Sequence, residues 1–211
     1  MLNTATQSIT YPMPDIDTPD SHSDDAIDVA LMLRVKTGDH AAFQELVERH
    51  QNMIIGTVAK MLGNASDAQD IAQQVFIRLW KSAPRYQRKA KFTTFLFTIT
   101  RNLVFNESKK RSRRKTHSLE EREEEHFSQI AADPSRTPDA ETLQTELQAA
   151  VDAAINALPE KQRMAVILRR YENMPYEQIA DVLETSVSAV KSHLFRARTE
   201  LRESLGKYLE K

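Results

Sequence analysis

Between Arg78 and Lys115 the chain carries thirteen Lys and Arg against a single Glu, Glu107. Trp80, Tyr86, Phe92, Phe95, Phe97 and Phe105 are interleaved with them. A solvated helix ordinarily mixes its signs. A block of one sign threaded with rings offers cations to phosphates and π-faces to unpaired bases. Within it, Lys109, Arg111, Arg113 and Arg114 are so dense, with so few neutral donors nearby, that they suit phosphates and carry little sequence information. A second set lies near the C-terminus. Ser188, Lys191, Ser192, Phe195 and Thr199 recur at helical spacing, with Arg196 and Arg198 beside them. Lys and Arg hold phosphates and guanine edges, Ser bonds either, and an apolar ring can touch a thymine methyl. Over those residues a helix rises about 16 Å, enough to read a few base pairs.

Other chemistry finds little support. The chain has no cysteine, which removes disulfides, thiol catalysis and cysteine-held zinc. No GxxxxGK, GxSxG or HExxH motif occurs, and the histidines at 22, 40, 50, 117, 126 and 193 have no ligand spacing. His50 lies on an apolar helical stripe and reads as a core histidine. His193 lies in the C-terminal reading helix, where DNA or solvent suits it better than catalysis. The expectation is a protein that is not an enzyme and needs no cofactor. No apolar run reaches the length of a membrane span, and no signal peptide is evident, so a soluble cytoplasmic protein is expected.

The elements that must position these groups read as helices. In 211 residues there are only four Gly and eight Pro, too few turn residues for an all-β fold. Residues 1–25 are polar and acidic, with five Asp and no Lys or Arg, and read as a disordered tail. Val29, Met32 and Leu33 begin a helix that Gly38 stops, and Asp39 can cap the next. Phe43, Leu46, Val47, His50, Ile54, Val58 and Met61 hold an apolar stripe up to Gly63. Ser66 and Gln69 are spaced as a capping box before a helix whose buried face is Ala68, Ile71, Ala72, Val75, Phe76 and Leu79. Pro84 ends it. A basic loop, Gln87 to Lys91, leads to a helix from about Phe92 to Arg114. Residues 116–141 hold an acidic cluster at Glu120–Glu125 with Pro134 and Pro138, and read as a linker. As a coil, about 26 residues span roughly 28 Å, so the parts it joins are expected to hold no fixed relative orientation. Helical stripes return with Leu143, Leu147, Val151, Ala154 and Leu158. Pro159 suits a first helical position, opening the helix of Met164, Ile167, Leu168 and Tyr171. Finally Ile179, Ala180 and Leu183, a short turn, then Val187, Val190, Leu194, Ala197 and Leu201 make a helix-turn-helix. The fold class is all-α: two small helical domains joined by a flexible acidic linker, at 26–115 and 142–211.

Three segments resemble the extracytoplasmic-function (ECF) sigma factors of bacterial RNA polymerase. Asp67-Ala-Gln-Asp-Ile-Ala-Gln-Gln-Val-Phe-Ile-Arg-Leu-Trp80 is similar to the family's polymerase-binding helix. Lys91-Phe-Thr-Thr-Phe-Leu-Phe-Thr-Ile-Thr-Arg-Asn-Leu103 is similar to its −10-recognition helix. Ala157-Leu-Pro-Glu-Lys-Gln-Arg-Met164, Tyr176–Leu183 and Ser186–Arg198 are similar to its C-terminal domain. The resemblance implies an initiation factor whose partners are core RNA polymerase and promoter DNA, and the family likeness extends the expectation to an anti-sigma factor. It implies polymerase contacts at Asp70, Gln73 and Gln74. It implies −10 contacts at Gln87, Arg88, Lys89, Lys91, Phe92, Thr94, Phe95, Arg101 and Asn102, with −35 contacts at Lys191, Ser192, Phe195 and Arg196. The stripe adds Ser188 and Thr199 to the −35 set, and the cation cluster adds Lys109, Arg111, Arg113 and Arg114 to the −10 set. Gln74 stands where the family often has Glu, Phe95 where it often has Trp, and Asn106 where it often has Asp. Glu184 stands where glycine is common, and is strained if the turn needs positive φ. The competing expectation is a helix-turn-helix regulator that never engages polymerase, which leaves the 67–80 helix and the basic block without a role.

Overall fold

The computed structural model describes residues 20–63, 67–120 and 140–209. Every element among them is helical: α1 (Asp20–Lys36), α2 (His40–Leu62), α3 (Ala68–Ser82), a 3-10 turn (Ala83–Arg85), α4 (Phe92–Glu120), α5 (Ala140–Ala157), α6 (Glu160–Arg170), α7 (Tyr176–Leu183), α8 (Val187–Ser204) and a final turn, α9 (Gly206–Leu209). None of the described helices is long and apolar enough to cross a membrane.

The helix ends follow local chemistry. Asp39 Oδ1 accepts the Ala42 amide at 3.0 Å and caps α2. Gly63 closes α2 in the left-handed conformation at φ 65°, returning its N–H to Ala59. A Cβ there would lie 3.1 Å from the Asn156 side chain, so glycine also permits the close approach of α5. The expected capping box rests on Ser66, which lies outside the described residues; Asp67 occupies the cap position of α3 without a side-chain cap bond. The Asp67 carboxylate pairs instead with Arg111 of α4, at 2.5 Å. Pro159 precedes α6 by one residue rather than opening it.

Two boundaries differ from the sequence reading. α1 begins at Asp20, inside the segment expected to be a tail. The reason is long-range. Asp24 and Asp28 both pair with Arg49, and Asp28 also faces His50 Nε2 at 2.9 Å. Asp25 Oδ1 accepts the Phe92 amide at 2.8 Å, capping α4 from 67 residues upstream. The rest of the tail, 1–19, lies outside the described residues. At the other boundary α4 runs through Arg114 to Glu120, so residues 116–120 are helical. No Gly or Pro interrupts it, and Glu107 pairs with Arg111 one turn on. Residues 121–139 of the expected linker lie outside the described residues, and 140–141 already belong to α5.

α1, α2, α3 and the first half of α4 enclose Met32, Leu46, Ile54, Val58, Val75, Leu79, Leu96 and Phe97. α6, α7 and α8 enclose Met164, Ile167, Leu168, Ile179, Val182, Leu183 and Val190. In this structure the two cores meet in one apolar cluster. α4 lies along α7, and α2 packs on α5 and α6. The contact is stitched by Arg163 of α6, which donates to Met61 O at the end of α2 (2.6 Å), to Leu158 O (2.9 Å) and to Asn156 O. Those carbonyls lie at helix C-termini, where they lack intrahelical partners. A linker's reach bounds how far two units can separate, but gives no information on whether their surfaces fit.

Candidate nucleic-acid and protein interfaces

α3 is amphipathic because its apolar positions recur at three and four. Ile71, Val75 and Leu79 are buried, which turns Asp70, Gln73 and Gln74 to solvent together. Ile77 completes that exposed row at 45% exposure. The sequence places Ile77 off the buried face, yet charge and polarity alone do not single it out. An apolar side chain held in water amid polar neighbours is the available signal, and it marks a protein contact better than a solvated face.

The α4 region sorts its residues sharply. Gln87, Arg88 and Lys89 are exposed on the loop, and Lys91 is half-buried. Phe92 is fully enclosed and lies against His50, with ring centroids 5.2 Å apart. Phe95 is half-buried against Tyr86, also at 5.2 Å. Thr94 is buried under α7, where its hydroxyl meets Gln178 Oε1 at 3.4 Å. Arg101 is buried too, and donates to Glu184 of the C-terminal unit at 2.6 Å. Asn102, Lys109 and Arg113 are exposed, whereas Arg111 is engaged by Asp67 and Glu107. The thirteen residues assigned to this surface are therefore not all available at once. The loop and the far half of α4 present cations; Phe92 belongs to the core, and Thr94 and Arg101 face α7.

α8 presents its row as the spacing requires. Val190 and Ala197 are buried, with Val187, Leu194 and Leu201 packed beside them. Ser188, Lys191, Ser192, Arg196 and Thr199 are all exposed, and Phe195 is 73% exposed, the most of any large apolar side chain among the described residues. The Ser192 and Thr199 hydroxyls donate back to Ser188 O and Phe195 O, leaving their oxygens as acceptors. Ser186 caps α8 by accepting the Ala189 amide. His193 turns from this row and is partly buried. Burial pushes its pKa down, and nearby Lys161 and Arg196 push the same way.

Between the units lies a cleft of about 1260 Å³. Arg49, Lys91, Arg169, Arg198 and Arg202 are set around apolar Met53, Phe97 and Leu194. Glu172 is on its wall, accepting from Thr57 of α2 at 3.0 Å. Burial pushes the Glu172 carboxyl above its ordinary value, while Thr57 and Lys60 pull it back. A carboxyl raised in this way holds its proton more tightly when folded. Its contribution to stability is therefore largest at low pH and declines as pH rises from the ordinary carboxylate range through the raised value. Glu172→Gln is expected to flatten that slope and to leave the chain at least as stable as the parent at pH 7. Urea unfolding at pH 4.5 and 7 checks this; an unchanged slope would remove Glu172 from the account.

Comparison with known proteins supplies context for these surfaces. The family model described as Sigma-70 region 2 matches residues 46–114, and the one described as Sigma-70, region 4 matches residues 148–201. The RNA polymerase sigma-H factor of Pseudomonas aeruginosa is 34% identical over 180 residues, covering 84% of this chain and 93% of its own. The ECF RNA polymerase sigma-E factor of Haemophilus influenzae is 32% identical over 180 residues, 84% of this chain and 95% of its own. SigW, an ECF RNA polymerase sigma factor of Bacillus subtilis, is 31% identical over 175 residues, 82% and 93%. Among solved structures, CnrH in complex with the cytosolic domain of CnrY superposes with a TM-score of 0.62 at 23% identity, covering 86% of this chain and 98% of that one. The sigma factor RpoE in complex with the anti-sigma factor NepR, from Bartonella quintana, gives 0.58 at 22% identity, covering 78% and 96%.

Proposed function

Because the chain belongs to the ECF sigma factors of RNA polymerase, we propose that its three exposed surfaces divide the work of promoter-directed initiation. The protein binds core RNA polymerase and directs it to promoters. In our reading Asp70, Gln73, Gln74 and Ile77 on α3 meet the polymerase. The loop Gln87–Lys91, with Phe95, Asn102, Lys109, Arg113 and Arg114, holds and reads the −10 element, and Thr94 and Arg101 join it once α7 moves off them. Ser188, Lys191, Ser192, Phe195, Arg196 and Thr199 on α8 read the −35 element as duplex. The domain division follows: the first unit is 26–115 extended back to Asp20, and the second is 142–211. Phe92 positions rather than reads, since its ring is enclosed and its amide is capped by Asp25. An anti-sigma partner belongs to the same reading, with the mixed basic and apolar cleft between the units as its seat.

The observation that carries this reading is Phe195. A helix-turn-helix that served only packing would not hold a phenyl ring 73% exposed between Lys191 and Arg196. The alternative of a regulator that never engages polymerase leaves the exposed Ile77 row on α3 unused. Runoff transcription on genomic fragments separates them. Added to core polymerase, the chain is expected to give discrete, sequence-defined transcripts that neither component gives alone. DNA binding without retention on core polymerase would favour the alternative.

A further inference from the structure

One ion pair between the helix-turn-helix and the −10 helix spans 83 residues of sequence. Arg101 Nη2 of α4 donates to Glu184 Oε1, in the turn between α7 and α8, at 2.6 Å. The guanidinium side is enclosed, at 8% side-chain exposure, whereas the carboxylate side is 68% exposed. We propose that Glu184 is a latch: it takes Arg101 and so holds the C-terminal unit closed over α4 while the chain is free of polymerase. The proposal rests on the reading of Arg101 as a DNA-facing residue only for its consequence, the masking of a promoter surface.

The backbone supports a role beyond the turn itself. Glu184 stands at φ 51°, in the left-handed region that glycine occupies without strain. The turn needs that conformation, for the Glu184 and Thr185 amides close α7 on Asp181 O and Ala180 O. A side chain held in a strained position that makes a long-range contact points to a function for that side chain. The Arg101 guanidinium also holds the Glu184 carboxyl below its ordinary range. The carboxylate is therefore charged at neutral pH.

The chemistry makes the closure reversible. A guanidinium takes carboxylate and phosphate oxygens with the same planar donors. Glu184 thus occupies Arg101 as a phosphate would, and a DNA strand competes with it. The closed state does not fully satisfy the arginine, because Nε is buried without a hydrogen-bond partner in the protein. Thr94, also covered by α7, is released by the same opening. Thr57 with Glu172, another contact across the units, involves no residue assigned to DNA. The latch is where closure and promoter reading share one group.

The test uses the full chain, which has no cysteine, with spin labels on cysteines introduced at exposed Gln51 and Glu200. The parent is expected to show one short, narrow distance between the units. Glu184→Gly keeps the turn and relieves its strain, so it folds; it is expected to broaden and lengthen the distribution. The exchanged pair, Arg101→Glu with Glu184→Arg, is expected to recover the short distance that either single change loses. An unchanged distribution in Glu184→Gly overturns the latch. In parallel, a single-stranded −10 oligonucleotide is expected to bind free Glu184→Gly about threefold more tightly, as the competent fraction rises. Opening without that gain upholds the latch and removes Arg101 from the −10 surface, so the two readings fail separately.

Discussion

Asp70→Lys is expected to lower affinity for core RNA polymerase at least tenfold, about 1.4 kcal/mol or more. Asp70 is exposed on α3 beside Gln73 and Gln74, and a reversed charge at a complementary interface adds repulsion as well as losing attraction. The fold should survive. Asp70 lies off the buried Ile71, Val75 and Leu79 face, so no packing is lost. It does lie in the first turn of α3, where a negative charge suits the helix dipole, so the reversal costs about 1 kcal/mol of stability at most. Binding to core polymerase, measured beside urea unfolding, checks both halves. Wild-type affinity would remove Asp70 from the interface, and an unfolded variant would show that the residue carries more of the fold than its exposure indicates. Ile77→Ser in the same assay asks whether the apolar end of the row contributes. Its loss should weaken binding without changing the salt dependence, unlike the loss of Asp70.

Much of this architecture is legible in the sequence because helices write their burial at a period of 3.6. The α3 and α8 faces follow from that rule alone, and the structure exposes and buries the residues that the spacing requires. Glu184 was legible as a strained turn position, and adopts positive φ. The misreadings share one cause, contact between residues distant in the chain. Asp24 and Asp25 look like the end of an acidic tail until Arg49 and the start of α4 come to meet them. Arg101 carries the same charge as its exposed neighbours, and only the approach of α7 makes it a buried group. The packing of the two units likewise leaves no periodic trace, since Arg163 satisfies backbone carbonyls whose neighbourhood is set by tertiary structure. Local pattern thus finds the exposed row of α8. It sorts the residues of α4 into exposed and buried less well, because there the two units overlap.

Phe195→Ala is expected to act unevenly across −35 sequences. It should cost about 1–3 kcal/mol at a preferred element and much less at a scrambled one. The ring is 73% exposed and lies on the same face as Lys191 and Ser192, so it contributes to no core whose loss would act on every promoter alike. Its neighbours divide the remaining tasks. In the proposed reading, Lys191 and Arg196 supply the salt-sensitive attraction to phosphates, and the ring supplies an apolar contact that only certain base steps offer. Removing the ring should therefore leave the slope of affinity against salt nearly unchanged while compressing the spread among −35 variants. Removing Lys191 should reduce the slope by roughly one unit. The measurement is holoenzyme binding, or transcription, on a panel of −35 variants at several salt concentrations, with the thermal unfolding of Phe195→Ala alongside. A uniform loss on every promoter with unchanged stability would make Phe195 a general docking contact rather than a reader of sequence. A uniform loss with lowered stability would return it to the packing of α8 on the rest of the unit.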